Sequence, residues 1–154
     1  MAGNNAINAV TSSSGWTSFT TTITSTGTAP TEGTGVTKSS YYIQVGKTLF
    51  IQFFYNQTGA GTAGTGDYLF NTPPGFTIDT TIVPTLNTFM SLGSCAAIGV
   101  ANTGIGSVVI HDSTHYKLFM YANGTTVVAN VGAAWFALSA SNARYSAQVQ
   151  LTIL

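Results

Sequence analysis

Charge is what this sequence has least of. Four Lys and Arg residues and four Asp and Glu residues make up 5% of its 154 positions, against roughly 25% in ordinary soluble proteins. Lys38, Lys47, Lys117 and Arg144 are balanced by Glu32, Asp67, Asp79 and Asp112. No basic patch can gather to attract nucleic acid, and no Lys/Arg run suits an anionic membrane surface. Cysteine occurs once, at Cys95, which excludes an internal disulfide and leaves the redox compartment open. Long apolar runs are missing too, so no stretch reads as a membrane span, and nucleic acid and membrane insertion are not expected. The opening MAGNNAINAVTSSSG has neither a basic start nor an apolar stretch, so it does not read as a signal peptide.

Thr, Ser, Gly, Asn and Ala stand where charge would be. Such a surface offers hydroxyls and amides and favours neutral partners such as sugars. Hydrophobic residues at 44% and aromatics at 12% are enough for one packed domain. Residues 1–14 are expected to be a linker or an expression-derived segment, and 15–154 a single β-sandwich head domain.

Helix formers are sparse, while Thr, Val, Ile, Tyr and Phe abound in short runs punctuated by Gly, Thr, Asn and Pro. The pattern predicts an all-β, antiparallel, jelly-roll-like sandwich. Strands are expected at 15–26, 39–46, 47–56, 67–72, 73–84, 95–102, 106–113, 115–123, 125–131, 134–140 and 143–154. A corner falls at Gly46-Lys47 and a hairpin turn at Asn123-Gly124. Residues 85–93, TLNTFMSLG, fit one helical turn or a loop.

GAGTAG at 59–64 matches the dinucleotide fingerprint G-x-G-x-x-G. That fingerprint works only where a helix opens behind the glycines. Here TGDYLFNT follows, and Pro73 and Pro74 forbid a helix. The stretch is therefore expected to be an exposed loop between two antiparallel strands, flexible unless a neighbour or ligand contacts it, with Asp67 capping its turn on backbone amides.

Two strands are apolar on both faces. In 47–56, Leu49, Ile51, Phe53 and Tyr55 alternate with Thr48, Phe50, Gln52 and Phe54. In 115–123, Tyr116, Leu118 and Met120 alternate with His115, Lys117, Phe119 and Tyr121. One sandwich core covers one face, so the second needs another cover, and a partner subunit is favoured. Phe50, Phe54, Phe119 and Tyr121 are the expected subunit-interface residues. The last segment alternates cleanly and is expected to be central in its sheet.

Chemistry-bearing residues are few. His111 and His115 in HDSTH would lie about 13 Å apart along a strand, and with only Asp112 beside them they read as a polar turn rather than a metal site. Cys95 among Ala96, Ala97 and Ile98 reads as a buried, inert thiol. The four carboxylates lie in separate segments, with no pair for glycosidic chemistry. Neither an enzyme nor a cofactor nor a bound metal is expected. Asn56-Gln57-Thr58 and Asn123-Gly124-Thr125 match the glycosylation pattern. Trp16, Tyr41, Tyr42 and Trp135 are the aromatic candidates for sugar stacking, set against ordinary packing roles.

The segments GWTSFTTTITSTGTAPT, YYIQVGKTLFIQFFY and GTGDYLFNTPPGFTID, in that order, resemble a C-terminal head module of viral fibre and collagen-like proteins, found in phages, giant viruses and virophages. The resemblance covers about residues 15–80 well and the rest loosely. Such heads are similar to the trimeric jelly rolls of the tumour necrosis factor and complement globular-head type. It implies a homotrimer on a virion surface, extracellular in its action, that binds a host or virion-surface receptor or glycan. The alternative it leaves is a structural trimerisation or capsid-decoration module without a ligand. No Gly-X-Y repeat precedes the domain, and no catalytic set is implied.

Overall fold

The computed structural model describes residues 15–83, 91–99, 103–122, 128–134 and 136–154. They form an all-β fold without helices among the described residues. The strands are β1 (Thr17–Ser18), β2 (Ile23–Ser25), β3 (Thr37–Val45), β4 (Thr48–Asn56), β5 (Tyr68–Asn71), β6 (Gly93–Ile98), β7 (Thr103–Ile110), β8 (His115–Ala122), β9 (Val128–Asn130) and β10 (Arg144–Thr152). All pair antiparallel in one curled sheet of order β1-β3-β4-β10-β6-β7-β8-β5-β2, with β9 also on β8. The architecture is that of a jelly-roll-like β-sandwich. The Asn-Gly turn and most of the expected helical turn lie outside the described residues.

The alternation of YSAQVQLTIL decides the centre of the sheet. β10 buries Tyr145, Ala147, Val149 and Leu151 and pairs on one side with β4, Tyr145 opposite Tyr55, and on the other with β6, Tyr145 opposite Ala97. β3 and β4 form a hairpin closed at Gly46-Lys47, where Gly46 takes φ 59°, as a primed two-residue turn asks of its first central residue.

Four tyrosines sit at the heart of the core: Tyr55, Tyr68, Tyr116 and Tyr145. Tyr55 stacks on Tyr145 at 5.4 Å and Phe70 on Tyr116 at 5.7 Å, while Tyr68 and Phe70 meet Tyr145 edge-on. A buried hydroxyl ordinarily needs a partner, and three of the four have one; Tyr116 Oη has none among the described residues. Tyr68 Oη donates to the Ala63 carbonyl and accepts from the Leu138 amide, and Tyr145 donates to the Phe136 carbonyl. Tyr55 Oη donates to buried Gln57 Oε1 at 2.6 Å. Gln57 Oε1 also accepts the Gly33 amide, and Nε2 donates to the Leu138 and Ala140 carbonyls at 2.6 and 2.7 Å.

That arrangement corrects the strand expected at 134–140. The carbonyls of Phe136, Leu138 and Ala140 face tyrosine and glutamine side chains instead of a neighbouring strand. Phe136 itself has φ 60°, a value costly for a bulky residue. Two other strand assignments also change. In the strand expected at 73–84, the described residues 73–83 make a single bridge, Ile78 to Ile153, and then turn where the Asp79 carboxylate accepts the Thr81 amide and hydroxyl. The long first strand is two short ones at opposite ends of the strand order. Between them the Thr21 hydroxyl bonds Ser40 at 2.7 Å and the Thr22 amide bonds Asn71 Oδ1 at 2.6 Å. One segment thus ties the two sheet edges together.

The glycine-rich stretch has a neighbour that holds it, and the strands it joins are not paired with each other. It links β4 to β5, which are not neighbours in the sheet. No helix follows it; β5 does. The loop is not loosely held, because it lies backbone to backbone along residues 28–34. Thr58 and Gly59 amides donate to the Thr34 carbonyl, Gly61 to Leu138, Thr62 to Thr31 and Thr65 to Thr28. A Cβ on Gly61 would lie 2.0 Å from the Thr31 carbonyl oxygen, and one on Gly59 2.1 Å from Thr34 Oγ1. The glycines serve close approach here, not freedom.

Two outcomes follow from this packing. Gly61→Ala forces backbone apart and should cost about 1–3 kcal/mol, as overpacking does, seen as a lower melting temperature, while Ala60→Ser at its exposed neighbour should change little. Burial holds the Tyr55, Tyr68, Tyr116 and Tyr145 hydroxyls above their ordinary value of 10.0. Their neutral forms stabilise the fold fully below the unfolded value, and that stability is lost as pH rises above it. Alkaline titration should therefore show these four ionising together with loss of circular-dichroism signal, rather than one by one in a folded protein.

Candidate functional site: an uncharged trough on the outer sheet face

The face of the sheet turned away from the core carries its own pattern. One row across the strands, in register, is Ser39, Phe54, Ser146, Ala96, Ile105 and Tyr121. The next is Tyr41, Gln52, Gln148, Ser94, Ser107 and Phe119. In the first row Phe54 on one side and Ile105 and Tyr121 on the other flank Ser146 and Ala96, and in the second Tyr41 and Phe119 flank two glutamines and two serines. The result is a trough of about 740 Å³ walled by Tyr41 and Phe54 on one side and Ile105 and Tyr121 on the other. A second hollow of about 350 Å³ adjoins it, sharing Gln52, Ser94 and Gln148 and bounded by Trp16 and Phe50. None of the lining residues is charged.

The exposure is substantial. Trp16, Tyr41, Phe54, Ile105 and Tyr121 are 47%, 40%, 42%, 73% and 50% exposed. All four residues expected at a subunit interface, Phe50, Phe54, Phe119 and Tyr121, lie on this face, with Phe119 edge-on to Tyr121 at 6.0 Å. Of the aromatic sugar candidates, Trp16 and Tyr41 share it. Tyr42 points the other way and packs edge-on with Phe19 and Phe76. Trp135 lies outside the described residues. Ile105, with the largest exposure, was missed by sequence reading; the strand start placed three residues late at 106 put it in a turn.

Elsewhere the chemistry is sparse. Asp112 closes the β7–β8 turn by accepting the Thr114 and His115 amides at 2.7 and 2.8 Å and the Thr114 hydroxyl. Its partial burial opposes the charge, but these bonds and His115 Nδ1 outweigh it, so its carboxyl lies below the ordinary value. Among the described residues no cluster of three His, Cys, Asp or Glu side chains could hold a metal. Asp67, expected to cap its own turn, instead accepts Asn130 Nδ2 at 2.8 Å and Lys117 Nζ at 3.4 Å. In the Asn56 sequon, Oδ1 accepts Arg144 Nε; the second sequon lies outside the described residues.

Cys95 lies under the trough floor, its thiol donating to the Ser107 carbonyl at 3.3 Å. Burial pushes the thiol up to about 12, with one backbone hydrogen bond acting weakly the other way. A disulfide reagent at neutral pH should modify Cys95 only at the rate of global unfolding, and promptly in denaturant; fast native-state labelling would contradict its placement. No family model, curated protein or solved structure matches the chain, so no relative lends this face a role.

Proposed function

We propose that the chain is a self-associating head module that does no covalent chemistry: a homotrimer of the viral-fibre or virion-surface kind that presents its loops to a host or virion surface. The observation that carries this reading is the uncharged trough. Five large apolar side chains stand exposed on one sheet face of a fold whose core is already complete on the other. Contiguous apolar surface of this kind marks an interface more often than bare solvent. Nothing in the trough's lining provides like-charge repulsion between copies. Aromatic walls are the residue types that dominate binding energy at interfaces. Three-fold closure is supported by the resemblance of residues 15–80 to trimeric viral heads. Location at a virion surface, outside the cell, rests on the same likeness.

The test is mass. Light scattering at micromolar concentration should give three times the 16.0 kDa of the chain. Phe54→Ser combined with Tyr121→Ser should shift the mass to one chain, with little loss of secondary structure because both side chains stand outside the core. A monomeric wild-type protein would overturn the reading.

A further inference from the structure

We infer that a further pocket of mixed polar and apolar lining, formed where residues 65–67 meet 130–134, is a binding site for a neutral sugar unit. It encloses about 440 Å³, within the range of small-ligand sites. Thr65, Gly66, Asp67, Asn130, Ala133 and Ala134 line it. It is separate from the trough, which shares none of these residues.

The walls are fixed before any ligand arrives. Asp67 and Gly132 form an antiparallel bridge. The Ala133 amide donates to the Gly66 carbonyl at 3.0 Å, and the Tyr68 amide to Val131 at 2.8 Å. The two backbones touch so closely that a Cβ on Gly132 would lie 2.5 Å from the Gly66 carbonyl oxygen. Polar groups placed this way lose little freedom on binding.

The hydrogen-bonding capacity left over suits hydroxyl groups. Asp67 Oδ2 is taken by Lys117 and Asn130, while Oδ1 has no partner among the described residues and remains to accept. Asn130 gives one amide hydrogen to Asp67 and keeps the other for a ligand, while its Oδ1 is buried out of a ligand's reach, with no partner among the described residues. Thr65 Oγ1 accepts the Thr28 amide at 2.7 Å and keeps its own hydrogen to donate. Donors and acceptors side by side are what adjacent hydroxyls on a sugar ring present in turn. Ala133 and Ala134 supply a small apolar surface for ring C–H groups.

Charge narrows the class further. Lys117 Nζ, 3.4 Å from the carboxylate, opposes a cationic ligand, and Asp67 opposes an anionic one. A neutral polyhydroxyl ligand escapes both penalties. Sequence reading looked for sugar contacts among aromatic residues, and this site is built from an acid, an amide and a hydroxyl. It deepens the attachment reading by naming a ligand class, and it can be tested without reference to oligomeric state.

The experiment titrates the full chain with galactose, mannose, N-acetylglucosamine and fucose, followed by saturation-transfer NMR and calorimetry. Glucosamine and glucuronate serve as the charged probes. At least one neutral sugar should bind saturably in the millimolar range, more tightly than either charged probe. Asp67→Asn should weaken that binding about tenfold or more, the size expected from loss of a charge-assisted hydrogen bond. Ala134→Arg alters an exposed residue and should block the pocket while melting temperature and mass stay unchanged, which covers the case in which the Asp67 variant misfolds. No saturable neutral-sugar binding, preference for a charged probe, or binding untouched by Ala134→Arg would each overturn the assignment. Because mass is measured on the same samples, loss of the sugar site and loss of the assembly reading are told apart.

Discussion

Gln57 is the side chain on which one end of this sandwich depends. It is fully buried at the end of β4, and all four of its hydrogen-bonding positions are filled. Its amide reaches Tyr55 in the core, the amide of Gly33 in one loop, and two carbonyls of the 136–143 segment in another. Its backbone amide adds a bond to Ala143. Leaving any of these groups unpaired in the interior costs about 1–3 kcal/mol. The glutamine thus fixes where two irregular segments lie against the end of β4, and the hydroxyls of Tyr55, Tyr68 and Tyr145 add bonds to the same region. Segments that would otherwise read as loose connections become part of the packed structure.

Scarcity of charge connects that interior to the exterior. With eight charged side chains in the whole sequence, hydroxyls, amides and backbone groups do the polar work. Inside, this gives neutral networks that avoid the desolvation cost of buried ions. Outside, it leaves the trough apolar and the Asp67 pocket nearly neutral, its carboxylate matched by Lys117. The two surfaces differ in what they can hold: one covers aromatic area, the other satisfies hydroxyl groups.

What could be read from the sequence follows the same division. Period-2 alternation placed β4, β8 and β10 and their buried faces, because a strand's geometry is written in consecutive residues. The two-faced pattern of LFIQFFY also pointed to an outer apolar face. Failures fall where distant side chains decide the backbone. AWFALSA alternates like a strand, yet the Leu138 and Ala140 carbonyls belong to Gln57, 81 and 83 positions away, and the Phe136 carbonyl to the Tyr145 hydroxyl. GWTSFTTTITST looks continuous, but Ser40 and Asn71 bend it between two edges. The glycines of GAGTAG suggested freedom, since composition alone cannot distinguish a glycine that must bend from one that must let another chain approach. The Asp67 pocket was invisible for a related reason: Asp67 and Asn130 are 63 positions apart and meet only through the fold.

Native-state hydrogen exchange across the glycine-rich loop tests the idea that buried side-chain bonds, not the strand ladder alone, hold this end of the molecule. The amides of Gln57, Gly61, Thr62 and Thr65 should exchange only through large-scale opening, with protection close to that of β4. Exchange of those four amides at the rate of an unstructured peptide, while β4 and β10 remain protected, would contradict the account.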